Sequence, residues 1–284
     1  MKIAVASGKG GTGKTLLSTS LAVSMSRLGH AVQYVDCDVE EPNGHIFLKA
    51  TVEQTEAVTI GVPEVDQARC NGCGRCGELC QYSAILCLPG QVLTFEELCH
   101  SCGGCSIICP EGAIVEKPRP IGELEFGQSE SLAFAQGCLA IGAVQSPTMI
   151  RVLKERAARE GIMILDSPPG TSCPVVETLH DVDFVLLITE PTPFGQNDLE
   201  LAVAMVRELE RPFAVVINRS DVGDSRVKDY CRVEDVPVLL EIKNDRAIAE
   251  VYSRGELLID ALEGYDIVFK HLYDGIMAHI KTGG

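Results

Sequence analysis

The chain has 284 residues, 46% of them hydrophobic and 23% charged, and a net charge of −16. This is the composition of a globule with a substantial core, large enough for one big α/β domain or two smaller ones. The acidity argues against a sequence-independent grip on nucleic acid or docking on anionic lipid, both of which need clustered Lys and Arg. No apolar run is long enough to span a bilayer and no signal-peptide pattern opens the chain, so the cytoplasm is the expected location.

The first predicted strand is KIAVAS, 2–7, and a helix is predicted over 14–28. Between them, SGKGGTGKTLLS contains Gly8-x4-Gly13-Lys14-Thr15, the phosphate-binding loop pattern. At a first strand-to-helix turn the pattern is specific. The backbone amides of Gly8, Lys9, Gly10, Gly11, Thr12 and Gly13, with the helix N-terminus, would face phosphates. Lys14 would reach the β- and γ-phosphates, and Thr15 would offer its hydroxyl to Mg²⁺. The second lysine, Lys9, is not needed for that cradle; by itself it is a solvated loop cation or a group with work elsewhere.

A second strand, AVQYVD, is predicted at 31–36. Residues 66–118 then interrupt the alternation with nine cysteines. Afterwards strands are predicted at 161–166, 182–189, 212–218 and 236–242, with helices near 146–159, 196–209, 224–232, 244–252 and 264–281. Strands so uniformly apolar are buried on both faces, which implies a mostly parallel sheet between helix layers joined by right-handed βαβ units. The expected organisation is a P-loop domain of residues 1–65 and 119–284, with a small domain of residues 66–118 inserted into one of its surface connections. The last helix carries too few cations to read as a membrane anchor.

The insert is itself a repeat. Cys70-x2-Cys73-x2-Cys76-x3-Cys80 is followed by Cys99-x2-Cys102-x2-Cys105-x3-Cys109-Pro110. One such run is the signature of a bacterial-type [4Fe–4S] ferredoxin, in which the fourth cysteine ligates the other cluster. On that logic Cys70, Cys73, Cys76 and Cys109 hold one cluster, and Cys99, Cys102, Cys105 and Cys80 the other. Paired C-x2-C also makes zinc sites, but zinc does not explain the regular third cysteine and the x3 cysteine, both occurring twice. Gln81 stands where the pattern expects Pro. Cys87 reads more simply as a packed thiol than as a ligand, and so does Cys173. Cys138 and Cys231 carry no assignment.

With Lys9, the loop takes the form KGGTGKT, which resembles the deviant Walker A motif of the MinD, ParA and nitrogenase iron protein family. DCDVEEP (36–42) and DSPPG (166–170) are similar to its two switches, and NRSD (218–221) to its base-reading element. More narrowly, the two cysteine runs with PPGTSCP and TEPTPFG resemble MinD-superfamily ATPases that carry an inserted ferredoxin domain. The resemblance implies that Asp38 orients the attacking water, Asp166 holds Mg²⁺ through water, and Asn218, with Arg219 in place of the usual Lys, contacts adenine. Asp36 reads equally as a cap and as a catalytic group. The resemblance also implies a role for Lys9, which crosses to the nucleotide of a facing subunit in an ATP-bound homodimer. There its charge would offset that of the transferring phosphoryl group.

The expected cofactors are therefore ATP, Mg²⁺ and two [4Fe–4S] clusters. The expected activity is ATP hydrolysis, with dimerisation gating electron transfer to an unidentified redox or metallocluster client. The alternative is an ATP-dependent carrier or assembly factor for a metallocluster. The C-terminal CxxC of the Mrp-type scaffolds is absent, since none follows Cys109. A positioning ATPase of the ParA or MinD kind would need the missing basic patch or membrane helix.

Overall fold

A computed structural model describes residues 1–130, 132–157 and 160–282. Strand β1 (Lys2–Ala6) runs through the Gly-rich loop into α1 (Lys14–Arg27), and β2 (Val32–Asp36) is followed by α2 (Gly44–Leu48). A long strand β3 (Thr51–Val65) leads out to α3 (Arg75–Leu79), the hairpin β4 (Ile85–Leu88) and β5 (Gln91–Thr94), and α4 (Gly104–Ile108). The chain returns along β6 (Ile114–Ser129) and β7 (Leu132–Leu139) to α5 (Ser146–Ala157), β8 (Ile162–Asp166) and α6 (Cys173–Leu179). Next come β9 (Phe184–Thr189), α7 (Pro193–Glu208), β10 (Phe213–Asn218), α8 (Arg226–Val233) and β11 (Val238–Ile242). Three helices close the described chain: α9 (Arg246–Ser253), α10 (Leu258–Ala261) and α11 (Tyr265–Thr282). The helix expected over 146–159 is seen to Ala157; residues 158 and 159 lie outside the described residues.

Among the described residues one sheet has nine strands in the order β11-β10-β9-β1-β8-β2-β7-β6-β3, parallel from β11 to β7. Successive residues of the central strands go to opposite faces, as the pleat requires. Ala4, Val35 and Leu165 pack with α5, α6, α7 and α8 on one side. Ile3, Tyr34 and Ile164 pack with α1, α9, α10 and α11 on the other. The result is the expected three-layer α/β arrangement, a P-loop fold with a mostly parallel sheet.

The far edge departs from the alternation read in the sequence. β3 and β6 pair antiparallel from Thr51–Gln128 to Val65–Ile114. β7 pairs only with the Gly122–Ser129 half of β6, so the rest of the ribbon leaves the sheet. The start of β3, TVEQTE, is mostly exposed and offers no continuous apolar run; an antiparallel edge with one wet face tolerates this. Both cysteine runs lie between the ribbon's ends, around a small core of Cys76, Ile85, Val92 and Ile114. Ala84 and Cys99 are different: they pack into the large core beside Val39, Val62 and Ile121. One cysteine run is thus seated against the main body and the other lies further out.

Candidate nucleotide site and cysteine-rich tip

Three neighbouring strands, β1, β8 and β2, end together, and the groups at their C-terminal ends face the loop. That is where open parallel sheets bind ligands. Val5, Asp166 and Asp36 lie side by side in register. The Ser167 amide donates to Val5 O at 3.0 Å and the Gly170 amide to Ser7 O at 2.9 Å, which ties the DSPPG segment to the loop. The loop turns into α1 at Gly13, whose φ is 92°; a Cβ there would also stand 2.7 Å from Asn218 Nδ2. Only glycine meets both conditions.

Lys14 is buried, with Nζ 3.3 Å from Asp166 Oδ1. Burial alone would push its ammonium down; the carboxylates of Asp166, Asp38 and Asp36 outweigh that and hold it above the ordinary lysine value. Tyr34 Oη donates to the other oxygen of Asp166 at 2.8 Å. Asp36 accepts from the backbone amides of Asp38, Asn43 and Gly44 at 3.1, 3.0 and 2.8 Å. It therefore anchors the DCDVEEP segment. Burial, and next the charge of Asp166, raise the Asp36 carboxyl. Asp38 lines the cleft at the head of that segment, and burial pushes its carboxyl up to about 6.

The cleft has a volume of about 730 Å³ and is lined by Lys9 to Thr15, Asp38, Asn218 and Arg219, with Val222, Ile248 and Tyr252 as an apolar wall. Thr12 Oγ1 is buried beside it without a hydrogen-bond partner among the described residues. Loop amides, a lysine, a Thr hydroxyl, carboxylates and an apolar wall fit a magnesium nucleotide.

Three further expected residues are engaged within the chain. Asn218 Nδ2 donates to Thr12 O at 2.8 Å, and its Oδ1 accepts from the Arg219 amide at 2.9 Å, so it braces the loop. Lys9 Nζ lies 3.3 Å from Glu190 Oε2, while Arg219 donates to the other oxygen of Glu190 at 2.7 Å. The buried Glu190 was missed in the sequence; the signal is a carboxylate closing the apolar strand FVLLIT at the start of TEPTPFG.

At the tip, Cys70, Cys73, Cys76 and Cys109 line one small cavity with Cys87. Cys87 Sγ is 3.4 Å from Cys76 Sγ. In the other run, burial pushes the Cys99 and Cys105 thiols up, and neighbouring sulfurs add to it, those of Cys102 and Cys80 for Cys99 and those of Cys99 and Cys102 for Cys105. Gly72, Gly74 and Gly103 hold left-handed φ values of 72°, 77° and 68° and let the loops curl around their sulfurs. The Ser101 amide donates to Cys99 Sγ and the Ala113 amide to Cys109 Sγ. Thiolate sets wrapped by loops that donate amides to sulfur fit iron–sulfur clusters. Among the described residues, no three His, Cys, Asp or Glu side chains converge as they would about a single metal ion. Cys173, expected as a packed thiol, is instead exposed at the first residue of α6; Cys231 is buried, and Cys138 accepts weakly from Gln136 at 3.7 Å. No described helix is long and apolar enough to cross a membrane.

Fold and phosphate loop together are those of a P-loop ATPase. Residues 3–259 match the CobQ/CobB/MinD/ParA nucleotide-binding domain, and the chain belongs to that family. It is similar to an uncharacterized protein of Methanocaldococcus jannaschii, 34% identical over 227 residues, which are 79% of this chain and 80% of the relative. It is 23% identical over 218 residues to an iron-sulfur cluster carrier protein of Pyrococcus abyssi, covering 76% of this chain and 60% of that one. Its fold resembles the septum site-determining protein MinD of Pyrococcus horikoshii complexed with Mg-ADP, with a TM-score of 0.62, 18% identity, and coverage of 99% and 98% of the two chains.

Proposed function

We propose that this chain is a magnesium-dependent ATPase whose ATP-driven dimerisation gates electron passage through two [4Fe–4S] clusters to a client protein. The observation that carries the reading is that one cysteine run is seated on the same core face as Val39, next to Asp38 in the first switch segment. Thr15 and Asp166 would hold Mg²⁺, which neutralises charge on the phosphates when bound. Lys14 would bind the β- and γ-phosphates, Asp38 would orient the attacking water, and Asn218 and Arg219 would sit against the base. Lys9 would leave Glu190 and reach the nucleotide of a facing subunit. Phe194, 78% exposed at the start of α7, has no ring partner among the described residues and suits such a face. Cys70, Cys73, Cys76 and Cys109 would hold the outer cluster and Cys80, Cys99, Cys102 and Cys105 the inner one; each supplies a one-electron site when present. The ferredoxin-like insert would be residues 66–118, on a ribbon whose return strand starts at Ile114.

The similarity to an iron-sulfur cluster carrier protein favours a second reading, in which ATP drives docking and cluster delivery. One preparation tests both. Anaerobically purified chain should hold about eight irons, accept electrons reversibly without losing iron, and sediment as a dimer with magnesium and a non-hydrolysable ATP analogue but as a monomer with ADP. A chain that stays monomeric with the ATP analogue sinks the gating reading. Iron that moves to an apo-protein acceptor on ATP addition supports the carrier instead.

A further inference from the structure

The segment joining β7 to α5 touches the first switch segment on one side and a cysteine loop on the other. The Leu139 amide donates to Val39 O at 2.8 Å. Ser146 Oγ donates to Glu40 Oε1 at 2.6 Å. Glu40 lies two residues beyond Asp38, and both line a crevice of about 400 Å³ with Ser146, Pro168 and Pro169, between the two switch segments. Gln145, next to Ser146, makes the other contact: its Nε2 donates to Cys99 O at 2.6 Å, and its Oε1 accepts from the Val144 amide at 3.1 Å. Gln145 is only 3% exposed, so water does not compete for its amide.

We propose that Ser146 and Gln145 are positioning residues that carry the nucleotide state from Glu40 to the loop of Cys99, and so to the inner cluster alone. The inference rests on the two-cluster reading above and specifies its route. The Met149 amide donates to Gln145 O at 3.0 Å, so the first turn of α5 moves with both residues. A displacement of Glu40 that draws Ser146 also shifts the partner of the Cys99 carbonyl. The Ser101 amide, 3.4 Å from Cys99 Sγ, lies in the same loop, and amide–sulfur hydrogen bonds set cluster potential. The outer set of Cys70, Cys73, Cys76 and Cys109 lines its own small cavity, with no such tie to the switch segment among the described residues.

The test is a redox titration of the anaerobically purified full chain, followed by electron paramagnetic resonance, with ADP and with a non-hydrolysable ATP analogue. In the unaltered chain the midpoint of one cluster should differ between the nucleotides and that of the other should not. At equal iron content, Gln145→Ala and Ser146→Ala should each reduce the difference by roughly half or more. Hydrogen exchange of amides 99–105 should follow the nucleotide in the unaltered chain and cease to in both variants. Ser146→Ala leaves the Cys99 contact in place, so it decides the matter even if Gln145→Ala holds less iron. Variants that keep the full difference overturn the route while ATP control of the clusters stands; no difference in the unaltered chain overturns both.

Discussion

Lys9 is held by a carboxylate of its own chain, and this gives the signature lysine a resting partner that competes with any reach across a dimer. The Lys9–Glu190 pair is partly exposed, and such pairs contribute roughly 0.5–1 kcal/mol. Glu190→Gln should therefore tighten ATP-dependent dimerisation about two- to fivefold, read by sedimentation against ATP concentration. Unchanged or weaker association would show that Glu190 does not restrain Lys9. Lys9→Ala should still bind ATP, because Lys14 and the loop amides remain, yet hydrolyse it about a thousandfold more slowly, as loss of an arginine finger does. Full hydrolysis in that variant would make Lys9 a simple loop cation. The phosphate loop and cysteine runs were legible because their chemistry depends on fixed local spacing. Glu190 and Gln145 were not: each acts on a partner far away in sequence, and no short pattern encodes either contact.

Among the elements, the central strands were legible for the reason they are stable: KIAVA, IMILD and FVLLIT are apolar on both faces and are buried on both faces. The β3–β6 ribbon was hidden because its alternating and polar stretches look like a lead-in to the insert rather than strands of 15 and 16 residues. Gly122 marks where β6 leaves the shelter of β7. A Cβ there would stand 2.2 Å from Cys138 O and 2.4 Å from the Met149 methyl carbon. The Cys138 carbonyl is backbone in the sheet and cannot yield cheaply, so Gly122→Ala should cost about 3 kcal/mol and lower Tm by several degrees. A variant as stable as the parent would mean that the ribbon bends elsewhere.

For the molecule as a whole, net charge sets the terms of association. Two copies at −16 each repel, and only contacts at short range can oppose this. Raising ionic strength from about 0.01 to 0.15 M shortens the screening length from about 30 to about 8 Å. The ATP-bound dimer should therefore strengthen with salt over that range. A dimer that weakens instead would place Lys9-type charge pairing above the global repulsion. The P-loop architecture follows from the apolar strands, but the seat of the inner cysteine run on the main core does not. Ala84 and Cys99 join the same core as Val62 of β3 and Ile121 of β6, which the ribbon itself carries into it.

The ribbon also restricts how this chain can change in length. Side chains along it alternate between its two surfaces. Adding or removing one residue in each strand would roll the cysteine-bearing end half a turn and turn the Cys99 loop away from Gln145. Only changes in steps of two preserve the seating, so the spacing between the nucleotide cleft and the cysteine loops has a parity as well as a distance.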